Sequence, residues 1–464
     1  MNSNDVLHLF FNPESIAVIG ASGRKGTVGY VIVEQLKKKF RGKIYPVTPK
    51  YPEVLGLKAY PSILDIPDKI DLAVIALRAS LVPRVMRDVG EKGVKAVIIV
   101  SGGFSETGEE GARLEREVLE IARKYGIRVI GPNCIGVLDN YTGVDTFFLP
   151  EDRLKRPPKG YISIISQSGA MLSMWIDWMA LKGMGLSKAI SYGNKIDVED
   201  VELLEYLEKD PNTKIILMYI EALKPGKGRK FIEVARRITS KGKPVIVLKG
   251  GRTKKGEKAA ASHTGAMAAG YNIYRAAFKQ AGIIEVDTMD EMFDIAKAFI
   301  MLGPARGKRL LILTNAGGEG VIASDFAERY HLDTPEPPDD VKEELRRRFP
   351  PHVIVKNPLD LTGDTDDERY RVALEELLSR NLYDIVVVIT PPHPPSIKGH
   401  VINYIVEARR KYNVPIIAVV TGGAISEEFA RRVEEKGIPA YQTPERAVRV
   451  AAALVEYGLF LNKS

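Results

Sequence analysis

The 464-residue chain reads as an α/β protein made of three doubly wound units in tandem. Short runs rich in Ile and Val recur along it, and each ends in a glycine or polar turn followed by a helical pattern. The runs are continuous rather than alternating, as strands covered on both faces are. The length exceeds one ordinary core, so about two to four domains are expected.

Composition narrows the class. Hydrophobic residues make up 45% and charged residues 27%, the proportions of a water-soluble globular protein. No apolar run reaches membrane-spanning length. The start, Met1 to Asp5, lacks the basic and apolar regions of a signal peptide. A lone cysteine, Cys134, excludes an intrachain disulfide framework and a cysteine metal cluster. A cytoplasmic location is expected, with no membrane. The formal net charge is +8, but no dense Lys/Arg run carries interleaved aromatics, so nucleic acid is not expected. The basic residues recur beside glycine turns, which suits phosphorylated small molecules.

The first unit covers residues 1–150. Strand Ser15 to Ile19 runs into Gly20-Ala-Ser-Gly-Arg-Lys-Gly26, and a helix follows from Val28 to about Lys38. Strand, glycine turn and helix start together offer backbone N–H groups and a helix dipole to a phosphate. The spacing is not GxGxxG. The second strand, Ile44 to Val47, leads to Lys50 where a ribose-binding carboxylate would stand, so an extra phosphate fits better there than a ribose. Arg24, Lys25 and Lys50 are candidate phosphate ligands. Further strands, Asp71 to Leu77, Val94 to Val100 and Ile127 to Ile130, end in polar turns, the last being Gly131-Pro-Asn-Cys-Ile-Gly136. Each glycine also reads simply as a tight βα turn.

The second unit covers 151–304. Strand Tyr161 to Ile165 feeds Ser166-Gln-Ser-Gly-Ala170 and an apolar helix, a second phosphate cradle with Ser166 and Ser168 hydroxyls added. Strand Lys214 to Ile220 delivers Glu221 at its carboxyl end, and strand Pro244 to Leu248 leads into a long small-residue stretch from Lys249 to Gly270. That stretch reads as a structureless mobile loop carrying His263 among very small residues, with helical patterning resuming near Tyr271. A neutral imidazole is a good nucleophile toward phosphorus near neutral pH, and it needs a carboxylate to steady it. Glu221 is the candidate, with Glu257 the local competitor. The stretch also reads as a surface loop with an incidental histidine. No histidine pair has metal-ligand spacing, so no metal site is expected. The third unit, 305–464, repeats the theme with strand Arg309 to Leu313, turn Thr314-Asn-Ala-Gly-Gly-Glu-Gly320 and a helix from Val321 to Tyr330. Pro335 to Asp364 is not assigned by periodicity.

Taken together, Gly20 to Gly26, Gly131 to Gly136, Ser166 to Ala170 and Ser262-His-Thr-Gly-Ala266 resemble a nucleoside-diphosphate-forming acyl-CoA synthetase, a relative of succinyl-CoA synthetase. The order of motifs is specific, and with the third unit it is similar to the α subunit of an ADP-forming acetyl-CoA synthetase. The resemblance implies Rossmann/flavodoxin-like units, the first a CoA-binding domain and the others succinyl-CoA-synthetase-like. It implies reversible conversion of acyl-CoA, ADP and phosphate into carboxylic acid, CoA and ATP, through an acyl phosphate and phospho-His263. Gly20, Ala21, Ser22, Lys25, Gly26 and Lys50 then hold CoA, and Asn133 faces the thioester. Ser166, Gln167, Ser168, Gly169 and Ala170 bind phosphate, and Glu221 supports the histidine. ADP/ATP and Mg²⁺ are expected mainly on a separate ATP-grasp β subunit, in an α2β2 heterotetramer. The alternatives are a non-catalytic CoA-sensing module and the CoA-binding portion of a protein acyltransferase.

Overall fold

The computed structural model describes residues 6–264 and 270–463, without the side chains of 260–264. The chain forms two compact units, Met1–Glu285 and Val286–Ser464.

The first unit contains two large sheets. In the first, five parallel strands stand in the order Lys43–Val47, Ser15–Ile19, Leu72–Ile75, Ala96–Ile99 and Arg128–Ile130. The second runs Ile284–Val286, Val245–Lys249, Ile215–Ile220, Lys159–Ser166 and Leu186–Ser191, then Val137–Asp139. Numbered along the chain from Lys159, its first five strands also take the order 2-1-3-4-5, that of a flavodoxin-like doubly wound sheet. Val137–Asp139 is an antiparallel edge contributed by the segment that closes the first sheet. It pairs Leu138 with Ala189 and so fastens the two sheets together.

The strands are almost wholly buried, which is why their sequences are unbroken Ile/Val/Leu runs. One apolar core runs from Ile16 and Ile98 of the first sheet to Ile165 and Met218 of the second. Each such side chain contributes roughly 1.5–3 kcal/mol of burial. Phe11 stacks on Tyr206 at 4.6 Å, and Arg128 holds Asp197 at 2.8 Å and Glu202 at 2.6 Å. Both contacts join the two halves of this unit.

The second compact unit carries a third parallel sheet: Leu359–Asp360, Leu310–Thr314, Ile385–Ile389, Ile416–Val419, Ala440–Tyr441. The order is again 2-1-3-4-5. The unassigned segment holds helix Asp339–Arg348 and the short strand Leu359–Asp360. Helix Met289–Met301 packs on the last helix, Pro444–Leu461, through Arg446 on Asp294 at 2.7 Å and Phe299 edge-on to Tyr457.

One expectation is corrected. The stretch Lys249 to Gly270 is not structureless: Lys254–Thr264 is an α-helix. Lys, Glu and Ala are strong helix formers, and a helix of small and charged residues shows no apolar stripe for periodicity to find. Helix Tyr271–Gln280 follows where patterning resumes. Among the described residues, no helix is long and apolar enough to cross a membrane.

Candidate functional site

The crevice of a doubly wound sheet opens where the strand order reverses, outside the carboxyl ends. In the first sheet that point lies between Ser15–Ile19 and Leu72–Ile75. A cavity of about 1090 Å³ occupies it, lined by Gly20, Ala21, Ser22, Arg24, Lys50 and Arg78 among others. Gly20 has φ +92°, and a Cβ there would fall 2.3 Å from the Ala76 carbonyl oxygen. Gly29, in the first turn of the following helix, would put a Cβ 2.0 Å from the Gly20 oxygen. Only glycine lets the turn sit between strand and helix, and the space it leaves opens to Arg24, Lys50, Arg78 and Arg84 at the rim. The residues fit a large phosphorylated ligand such as CoA. Lys25 and Gly26 are exposed and lie outside the cavity lining.

A second cavity, about 320 Å³, lies at the carboxyl ends of the second sheet. Four turns meet there: Asn133 to Ile135, Gln167 to Ala170, Gly193 to Lys195, and Ala222 to Pro225. The helix Gly169–Leu181 begins at its wall, and Ser168 Oγ caps it by accepting the Met171 N–H at 3.3 Å. The N–H groups of Gly169 and Ala170, first in that helix, have no intrahelical acceptor and are suited to an anion. Ser166 does not join them. It is fully buried, and its hydroxyl donates to the Ser168 carbonyl at 2.7 Å.

The turns lock together. Gly193 has φ +52°, and a Cβ there would fall 2.2 Å from the carbonyl oxygens of Pro132 and Asn133. Asn133, itself at φ 57°, donates through Nδ2 to Asn194 Oδ1 at 3.3 Å. Asn194 Nδ2 in turn donates to Glu106 at 2.7 Å, Glu115 at 2.9 Å and Ser105 Oγ at 3.1 Å. Lys195, also lining the cavity, is buried and bonds Asp200 at 2.8 Å. Lys224 donates to the Ile196 carbonyl at 3.0 Å, and burial pulls its pKa below the usual lysine range. Burial pushes the Cys134 thiol up to about 12, so it stays protonated and inert. Sequence reasoning named Asn133 but missed Asn194, Lys195 and Lys224. The residues Tyr192-Gly-Asn-Lys195 form a local turn after strand Leu186–Ser191, but its convergence on Asn133 depends on how the two sheets are joined.

Glu221 stands behind this cavity, buried, at the end of strand Ile215–Ile220. Its N–H and that of Ala222 both donate to Gln167 Oε1, at 3.0 and 3.3 Å. Lys249 Nζ donates to the Glu221 carbonyl at 2.7 Å. Burial pulls Lys249 down to about 8, against the opposing charges of Glu221 and Glu257. Gln167, expected to bind phosphate, therefore spends its carbonyl oxygen on the Glu221 main chain. Glu257 lies half-buried on helix Lys254–Thr264. The backbone of His263 belongs to the same helix, and its side chain lies outside the described residues.

Comparison with known proteins gives this geometry a lineage. Residues 14–140 match the family model described as a CoA binding domain. Residues 159–299 match the succinyl-CoA ligase like flavodoxin domain, and 310–458 the ligase-CoA domain. The chain is 41% identical to the acetate–CoA ligase [ADP-forming] I subunit alpha of Pyrococcus furiosus, covering 98% of this chain and 99% of that one. It is 42% identical to the acetate–CoA ligase [ADP-forming] of Methanocaldococcus jannaschii, where the match covers 97% of this chain and 63% of the longer relative. Among solved structures, the Ca. Korarchaeum cryptofilum dinucleotide forming acetyl-coenzyme A synthetase 1, in complex with phosphate and ADP, matches with TM-score 0.90 and 36% identity over 99% of both chains. Similarity of this extent, from end to end and across all three domain models, means that the chain belongs to the family of ADP-forming acetate–CoA ligase α subunits, which are acid–thiol ligases.

Proposed function

We propose that this chain is the α subunit of an ADP-forming acyl-CoA ligase acting through a phosphohistidine at His263. The observation that carries the reading is the 320 Å³ cavity, where the helix start at Ser168 to Ala170, Asn133 and the segment after Glu221 face one space. CoA lies in the larger cavity, its phosphates near Arg24 and Lys50 and its turn contacts at Gly20, Ala21 and Ser22. Lys25 and Gly26 serve the approach to that cavity rather than its wall.

Phosphate attacks the thioester carbonyl beside Asn133, the C–S bond breaks, and CoA leaves as the thiolate. The resulting acyl phosphate lies at the helix start, where the N–H groups of Gly169 and Ala170 meet its oxygens. The imidazole of His263 attacks phosphorus, the P–O bond breaks, and the carboxylic acid leaves as carboxylate. Phospho-His263 then transfers its phosphoryl group to ADP. Mg²⁺ supplies charge neutralisation at that transfer, on a separate ATP-grasp β subunit in an α2β2 heterotetramer. The part of the Methanocaldococcus jannaschii relative beyond this match is consistent with such a partner. The reaction is assigned to the cytoplasm.

Glu221 is the carboxylate that steadies the imidazole. It is buried at a strand end and held at its N–H by Gln167 and at its carbonyl by Lys249, whereas Glu257 stands six residues before position 263, a spacing that does not share a helix face. Full-length similarity to ligase subunits favours this reading over a CoA-sensing module or a portion of a protein acyltransferase.

The test is phosphoryl labelling of the complex with its β partner, Mg²⁺ and γ-labelled ATP. Acid-labile, base-stable label is expected on the wild-type chain and absent in His263→Ala. Label that persists in that variant would sink the nucleophile assignment. Glu221→Gln is expected to label slowly while remaining folded, and normal labelling there would point to Glu257.

A further inference from the structure

Glu221 is gripped by more than its backbone. Tyr219 precedes it by two residues, near the end of strand Ile215–Ile220, and Glu221 follows that strand directly. The Tyr219 ring is fixed edge-on against Trp175, at 6.4 Å and 90°. Its hydroxyl points at the space above Gly250. A Cβ built on Gly250 would fall 2.7 Å from the Tyr219 hydroxyl and 3.5 Å from Glu221 Cγ. The hydroxyl and the carboxylate stem thus converge over the one residue that has no side chain to separate them.

We propose that Tyr219 is a positioning residue for Glu221, its hydroxyl donating to the carboxylate and fixing which oxygen is turned toward the imidazole. Gln167 and Lys249 hold the main chain of Glu221, at its N–H and its carbonyl, and Tyr219 holds the side chain. The division is economical in freedom: a glutamate has several rotatable bonds, and each one left loose dilutes the productive geometry. Burial, followed by the charge and hydrogen bonding of Glu221, pushes the Tyr219 phenol up to about 12, so it remains a donor throughout the working pH range.

This inference rests on the reading of Glu221 given above, and the experiment separates the two. Phosphoenzyme formation from γ-labelled ATP is timed in the full complex for the wild type, Tyr219→Phe, Glu221→Gln and the double variant. Tyr219→Phe is expected to slow labelling about tenfold, the loss of one hydrogen bond to a charged group, with KM for CoA unchanged. In the Glu221→Gln background the same change is expected to cost nothing further, because the two side chains act as one unit. Gly250→Ala, which crowds the hydroxyl without removing it, is expected to slow labelling as well. Wild-type labelling in Tyr219→Phe, or an equal loss in both backgrounds, overturns the positioning role and leaves Glu221 in place. Wild-type labelling in Glu221→Gln overturns the role of Glu221 and the positioning role with it.

Discussion

Asn194 donates to Glu106 at 2.7 Å and so joins a loop of the first sheet to a turn of the second. The same side chain accepts from Asn133, which lines the smaller cavity. Burial works against the charge on Glu106, but hydrogen bonds from Asn194 and from the Gly103 and Phe104 N–H groups win, holding its carboxyl below the usual range.

Asn194→Ala is therefore expected to cost about 1–3 kcal/mol, since it strips an amide donor from the carboxylates of Glu106 and Glu115. The sign with pH follows from the lowered carboxyl. Its contribution is complete above the unfolded carboxylate value and is lost as pH falls through the lower folded value. Urea unfolding of wild type and variant should show the largest gap at neutral pH and a shrinking gap in acid. A gap that grows in acid would contradict the assignment.

Lys50→Ala is expected to raise KM for CoA about tenfold, the effect of removing a cation from a phosphate contact. Label transfer from ATP to the chain should be unchanged, because Lys50 borders the larger cavity and not the smaller one. Lys25→Ala, outside the lining, serves as the control and should change KM by less than about twofold. Steady-state kinetics at two salt concentrations would check both, the Lys50 effect shrinking as salt rises.

The contrast between those lysines shows what a sequence discloses. Turns at strand ends are local, so Gly20, Ser168 and Glu221 were legible from the residues that flank them. Among the rim cations, Arg24 and Lys50 are legible in the same way, but Arg78 is not, because it comes from a different turn and reaches the cavity only once the strands are in order. Asn194, Lys195 and Lys224 were hidden for a stronger reason. Their place depends on the edge strand Val137–Asp139, three residues that cross from one sheet to the next. Ser166 looked like a phosphate ligand by its motif, yet a strand that ends one residue later turns its hydroxyl inward. Helix Lys254–Thr264 escaped because periodicity needs apolar residues to register, and there are none large enough.

Gly193→Ala tests the contact between the two turns directly. The added Cβ would meet two carbonyl oxygens at 2.2 Å, in a conformation that already disfavours an L side chain. Backbone has nowhere to move there without parting Asn133 from Asn194. A loss of about 2 kcal/mol or more is expected, which lowers the melting temperature by several degrees in a unit of this size. Calorimetry would check it, and a variant melting with the wild type would mean that the turn is looser than its hydrogen bonds suggest.

Lys249 gives a prediction of the same sign as that of Glu106, in an alkaline window instead of an acid one. It is buried, donates to the Glu221 carbonyl, and has a folded pKa pulled down to about 8 by burial. Its unfolded value is near 10.4. Below about 8 both states hold the proton, and the full cost of burying the cation weighs on the fold. Between about 8 and 10.4 the unfolded chain keeps a proton that the native chain has released, so stability from this group rises with pH. The rise is on the order of 3 kcal/mol over that window. In Lys249→Met that rise should be missing, so the stability of the wild type relative to the variant should climb from pH 8 to pH 10. Subtracting the two denaturation series removes the titration of the many other lysines and tyrosines. A flat difference would mean that water reaches Lys249 and that the grip on Glu221 is correspondingly wet; a falling difference would reverse the sign of the argument and exclude burial as the cause.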